Sequence, residues 1–176
     1  MAFEIESLQK AKCTEVLVLS QKNRDPGDNP GVALSFSMML GNDALSYFDG
    51  SLKSFLYTKA GGSAKQSDLA GVEPVSDMPN LTAAGMKLGK LSWDQEYTGY
   101  SLVIDQGIGG ASNVELDDCK LSGFTIDPKE GGSFMLTFKA EAPDASEKTF
   151  GKLAHMKNTE VSILLTAPVV EPDMVS

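Results

Sequence analysis

Histidine is almost absent: His155 is the only one in 176 residues. Any Ser–His or Cys–His catalytic pair would have to run through it, and its setting, "KLAHMKN", reads as a surface or half-buried position. No serine stands in a Gly-x-Ser-x-Gly elbow. A zinc site needs more cysteine and histidine than one His and two Cys supply. The two cysteines, Cys13 and Cys119, are far apart, and each lies in a segment that reads as strand, so two free thiols of a cytosolic protein are expected. No apolar run is long enough to span a bilayer. The start, "MAFEIESLQKAKC", lacks the basic flank and apolar stretch of a secretory signal. Acidic residues abound, but nothing singles out a pair for acid–base work. The residues make no case for an enzyme, and no catalytic group, metal or cofactor is expected.

Positive charge is also scarce: 15 Lys and Arg stand against 24 Asp and Glu, a formal net charge of −9. On average that balance repels nucleic-acid phosphates. It suits solubility, a basic protein partner or mimicry of a polyanion. Otherwise composition is ordinary for a globular chain, with 41% hydrophobic and 22% charged residues. The length fits one domain, residues 1–176, with a core of its own.

What is present is alternation. "TEVLVLSQKN" (14–23) is β-branched and apolar, and the turn-rich "RDPGDNPG" (24–31) follows it. Next, Val32, Leu34, Phe36, Met38 and Leu40 share one face while Ala33, Ser35 and Ser37 share the other. Two such runs about one turn cluster predict an antiparallel hairpin. The period then changes: Leu45, Phe48, Leu52, Phe55 and Leu56 recur at three or four, which predicts one or two short helices over an open end of a sheet. Asn42, Asp43 and Ser51 are candidate caps, and the aromatics read as core. From about residue 60 to 90 the pattern dissolves into Gly, Ala, Ser and Asp, a long irregular loop with Leu69, Val72, Met78 and Leu81 as apolar anchors. "KLSWDQEYTGYSLVIDQG" returns to strand character. In "SNVELDDCKLSGFTID" the inward phase held by Val114 and Leu116 slips at Asp117–Asp118 to Cys119 and Leu121, which predicts a bulge. The turn "DPKEGG" leads to "SFMLTFKAEAP", with Phe134, Leu136, Phe138 and Ala140 on one face. A helical turn in "TFGKLAHM", a last strand in "TEVSILLTAP" and an irregular tail from about 167 complete the chain. Roughly seven strands with little helix predict an all-β, mostly antiparallel sandwich or barrel-like domain with one to three short helices.

One motif raises a rival. "LVIDQGIGGASNVELDD" places Gly107, Gly109 and Gly110 after a strand. A dinucleotide loop needs a third glycine where Ser112 stands, and a helix after it. "NVELDDCKL" alternates like a strand instead, so strand, glycine turn, strand is expected. Asp105, Glu115, Asp117 and Asp118 lack the spacing of a calcium loop and read as a solvated strand edge. Trp93, Tyr97 and Tyr100 would suit a stacking platform for single-stranded DNA, but Asp94 and Glu96 interleave them with the wrong sign.

"LSYFDGSLKSFLYTK", "LSWDQEYTGYSLVIDQGIGG", "FTIDPKEGGSFMLTFKA" and "FGKLAHMKNTEVSILLTAP" together resemble a family of small uncharacterised proteins of tailed bacteriophages and prophages. The resemblance covers most of the chain and is weakest across 60–90. It carries no catalytic motif, so it transfers no site residues. It implies an accessory product of phage DNA metabolism acting in the host-cell cytoplasm, non-enzymatic, with a protein partner such as a replication, recombination or host-defence complex. The alternatives are a virion component (head decoration or tail) and a single-stranded DNA-binding accessory protein. Loops on a rigid β scaffold are where binding residues concentrate. The candidate contact residues are therefore Arg24, Asp25, Asp28 and Asn29 at the first turn and Lys65, Asp68, Glu73 and Asp77 in the long loop. Exposed sheet edges offer a route to a homo-oligomer.

Overall fold

The computed structural model describes residues 2–19, 29–59, 76–107 and 113–169. The chain is mostly antiparallel β. Nine strands are described: β1 (Ile5–Leu19), β2 (Gly31–Gly41), β3 (Tyr57–Thr58), β4 (Asn80–Leu81), β5 (Leu91–Trp93), β6 (Tyr97–Asp105), β7 (Val114–Lys129), β8 (Ser133–Ala142) and β9 (Thr159–Thr166). Seven of them form one sheet in the order β5-β7-β6-β9-β1-β2-β8, and β7 also pairs with β8. That second pairing closes six strands into a barrel, with β5 as an extra strand on β7. Of the two architectures the alternation allows, the barrel is the one formed. β3 and β4 make a separate two-stranded ribbon. The helices are short: a 3₁₀ helix at Asn42–Tyr47, α1 (Leu52–Leu56), α2 (Ala83–Lys87) and α3 (Glu147–Ala154).

The described residues cluster into two compact units. One takes Ser37–Asp94 and Gly123–Thr137; the other takes Ala2–Phe36, Gln95–Ser122 and Phe138 onward. β2, β7 and β8 each contribute residues to both.

In the second unit, period-two burial is visible along β9, where Val161, Ile163 and Leu165 point inward. β1 has Ala11 and Cys13 inward, and Lys10 and Lys12 on the other face. Its first part, residues 5–12, carries no strand pattern in the sequence. The register against β9 shifts between Ile5 and Gln9, so the alternation there is broken by a bulge and Leu8 stays exposed. Phe3 and Phe36 both contact the Phe138 ring, with centroids 6.3 and 5.6 Å away. After Ala145, Ser146 caps α3 by accepting the Thr149 N–H at 3.2 Å. Leu153 in α3 and Met156 just past it are buried, and the expected helical turn is a full short helix.

The expected slip at Asp117–Asp118 is a bulge. Tyr100 pairs with Cys119 and Leu102 with Leu116, two steps on β6 against three on β7. Asp118 lies there with φ of +55°. A second bulge, on the other strand, had no sequence signal. Tyr97 pairs with Leu121 and Tyr100 with Cys119, three steps on β6 against two on β7. Gly99, at φ +76°, takes the extra position, where the missing Cβ allows a left-handed backbone. The insertions offset one another, and β6 leaves the pairing in the register with which it entered.

In the first unit, β7 exchanges partners: β5 pairs Leu91 with Ile126 and Trp93 with Phe124. Phe48 packs edge-on against Phe124 and Trp93, with centroids 5.4 and 6.2 Å away. Leu45, Leu52 and Leu56 are buried with them, as the helical spacing predicts, and Tyr57 is buried beside them. The proposed caps do not act. Gly41 holds the cap position of the 3₁₀ helix, and Ser51, at the cap position of α1, makes no side-chain cap bond. Its N–H donates instead to Asp49 Oδ1 at 2.7 Å.

Candidate protein-binding surface

Of the eight candidate contact residues, Asn29 and Asp77 are described and both are exposed. Arg24, Asp25, Asp28, Lys65, Asp68 and Glu73 lie outside the described residues. Asn29 belongs to the second unit and Asp77 to the first.

Around Asp77 the first unit is tightly tied. Lys53 Nζ on α1 donates to Asp77 Oδ1 at 2.8 Å and also to Asp43. The two carboxylates hold the Lys53 ammonium above its ordinary range, Asp43 contributing most. The Lys53 hydrogen bond in turn holds the Asp77 carboxyl below its own. Behind them Asn42 is fully buried. Its Nδ2 donates to the Met78 carbonyl at 2.9 Å and its N–H to the Gly132 carbonyl at 2.9 Å. The Gly131 N–H reaches the Pro79 carbonyl at 2.9 Å. The Tyr57 hydroxyl donates to the Ser133 carbonyl at 2.6 Å and accepts the Lys129 N–H at 3.2 Å. Burial pushes that phenol up to about 12. These bonds join 76–79 and the β7–β8 turn to the start of the 3₁₀ helix.

The segment 76–90 is more ordered than its composition implies. Thr82 Oγ1 caps α2 by accepting the Gly85 N–H at 3.1 Å, and donates to the Phe55 carbonyl at 2.6 Å. The Thr82 N–H donates to the Leu56 carbonyl at 2.9 Å. Gly85 then lies so close to the Leu56 backbone that a Cβ would overlap its carbonyl oxygen. A helix that short, rich in Ala and Gly, has no apolar period to betray it; the Thr-x-x-Gly cap was its one sequence signal.

Docked this way, α1, α2 and the residue after α2 expose three large apolar side chains: Phe55 at 52%, Met86 at 58% and Leu88 at 50%. Phe55 was expected in the core. With five residues, α1 turns Leu52 and Leu56 inward one turn apart, and Phe55 falls outside that narrow stripe. Met86 and Leu88 carried no signal at all. Exposed large apolar side chains on neighbouring elements mark contact surfaces more often than chemistry.

Cys13 and Cys119 are free and buried, and burial pushes the Cys119 thiol up to about 12, with Asp117 and Asp118 adding to it. Such a thiol is a poor nucleophile. His155 is exposed just past α3. Asp105 Oδ1 accepts the Gly107 N–H at 2.7 Å, and Asp117 accepts the Ser101 hydroxyl at 3.2 Å. Among the described residues no group of three or more His, Cys, Asp or Glu is placed to hold a metal ion. The element after the glycine motif is strand β7, paired with β6, as "NVELDDCKL" predicts. Among the described residues no helix is long and apolar enough to cross a membrane. No family model, no curated protein and no solved structure matches the chain.

Proposed function

We propose that the chain is a non-enzymatic phage accessory protein that binds a protein partner in the infected cell, such as a replication, recombination or host-defence complex. The observation that carries the binding role is the half-exposed Phe55 and Met86 on two short, hydrogen-bonded helices, with Leu88 just past the second. Phenylalanine and methionine are enriched in interface cores, and methionine adapts to varied partners. The Lys53–Asp43–Asp77 ion cluster belongs to the same unit. The excess of acidic residues favours a basic protein over nucleic acid. The phage setting rests on the sequence resemblance alone.

The test is affinity capture from infected host cells with the wild-type chain and with Phe55→Glu and Met86→Glu. A partner retained by wild type and lost by both variants, with their thermal stability unchanged, supports the reading. Capture that the two charges leave intact removes this surface from it. Recovery of the chain in purified particles makes it a virion component instead. Oligonucleotide affinity that falls steeply with salt makes it a single-strand binder. Deleting 61–71 is expected to leave the fold intact, since Thr58 and Asn80 pair on either side of that segment, and to weaken partner capture.

A further inference from the structure

β1 outruns its neighbour. Its pairing with β9 ends at Cys13 opposite Thr159. There Asn158, at φ +65°, turns the chain away, and its N–H donates to the Cys13 carbonyl at 2.7 Å. Beyond that point Glu15–Leu19 has β2 on one side, with Thr14 Oγ1 donating to the Ser35 carbonyl at 3.3 Å, and no strand among the described residues on the other. The Cys13 thiol reaches the Glu15 carbonyl at 3.7 Å, closer than a regular strand allows, so the alternation is interrupted there. Within the strand that follows, successive N–H and C=O groups alternate sides, and every second residue presents its pair to the open side. Leu17 is 48% exposed and Val18 62%.

Such an edge asks for another extended strand, because only a strand meets its donors and acceptors in register. Edges that must stay alone are usually blunted by lysine, proline or inward charge. "EVLVL" has one charge, at its end, and is otherwise strongly strand-forming. We propose that this edge pairs antiparallel with the same edge of a second copy of the chain, about a two-fold axis at Leu17. With the axis at the centre of the exposed segment, Leu17 faces Leu17 of the other copy, and Glu15 faces Leu19. Val16 faces Val18. No like charges stand opposite each other. A two-fold axis makes the contact self-limiting, so it gives a dimer and not a fibre. The inference uses none of the residues of the proposed partner surface and stands or falls separately.

Sedimentation velocity over a concentration series tests it, with Leu17→Lys, Leu17→Glu and an equimolar mixture of the two. The wild type is expected to dimerise. Each variant alone sets like charges opposite each other across the axis and is expected to be monomeric, with unchanged far-UV circular dichroism, since Leu17 is half-exposed. The mixture sets an ammonium opposite a carboxylate across the axis and is expected to restore the dimer. A wild type that stays monomeric at its highest soluble concentration overturns the proposal. So does a variant that dimerises alone as well as wild type, or a mixture that does not recover. Slow amide exchange at every residue from 15 to 19 in a monomeric wild type would assign the edge to the chain's own residues and equally overturn it.

Discussion

Asp118 holds a left-handed backbone, φ +55°, with its side chain in solvent, and among the described residues no hydrogen bond of that side chain offsets the conformation. For a residue with a Cβ this region costs roughly 1–2 kcal/mol, somewhat less for aspartate. Asp118→Gly is therefore expected to raise stability by about 0.5 kcal/mol, and Asp118→Val to lower it by about 1–2 kcal/mol, read from urea midpoints at constant slope. The opposite case is Tyr57. It is fully buried, and its hydroxyl serves two backbone groups, the Ser133 carbonyl and the Lys129 N–H. Tyr57→Phe keeps the ring and strands both, which is expected to cost about 1–3 kcal/mol in the same measurement. The two residues were not equally visible in the sequence. The Asp118 bulge announced itself because alternation slipped there. Tyr57 looked like one more aromatic beside a helix, since the bonds it makes join positions more than 70 residues apart in the chain.

Elements were legible where one face is buried along a whole strand. β8 and β9 alternate cleanly, as does β2 from Leu34 to Met39, and so their faces and the turn between β7 and β8 could be read directly; at the start of β2 both faces are buried, Ala33 with Val32. Where a bulge interrupts the period, as in residues 5–12, the strand leaves no pattern although its backbone is paired. α2 was hidden for another reason. It is held by Thr82 and by the closeness of Gly85 to Leu56, and neither contact leaves a periodic trace. The candidate surface depends on that closeness, because it sets where Met86 stands. Gly85→Ala is expected to push α2 off α1, costing about 1–3 kcal/mol by overpacking. It should also lower partner capture more than Leu88→Ala, which changes area without moving the helix. Equal losses in the two variants would show that α2 needs no fixed position to bind.

At the scale of the whole molecule, stability is tied to alkaline pH through groups buried in both units. Tyr57 in the first unit and Tyr100 in the second are each pushed up to about 12 from an ordinary 10, in both cases mainly by burial. Cys119 is pushed up to about 12 from 9. A proton held more tightly in the folded chain stabilises it, and that stabilisation is complete while the unfolded chain is also protonated, below about pH 9. Above that the unfolded chain loses protons that the folded chain keeps, first from the thiol and then from the phenols. Stability is therefore expected to be level from neutral pH to about 9 and to fall continuously towards 12. The midpoint of urea unfolding, followed across that range, measures it. Trp93, the one tryptophan, lies in the first unit, so its fluorescence follows that unit while far-UV circular dichroism follows every strand. β2, β7 and β8 run through both units without a break. The two signals are therefore expected to give one coincident transition that moves as a whole as pH rises. A fluorescence midpoint that parts from the dichroism midpoint above pH 9 would mean that one unit opens alone, and would locate the weaker of the two.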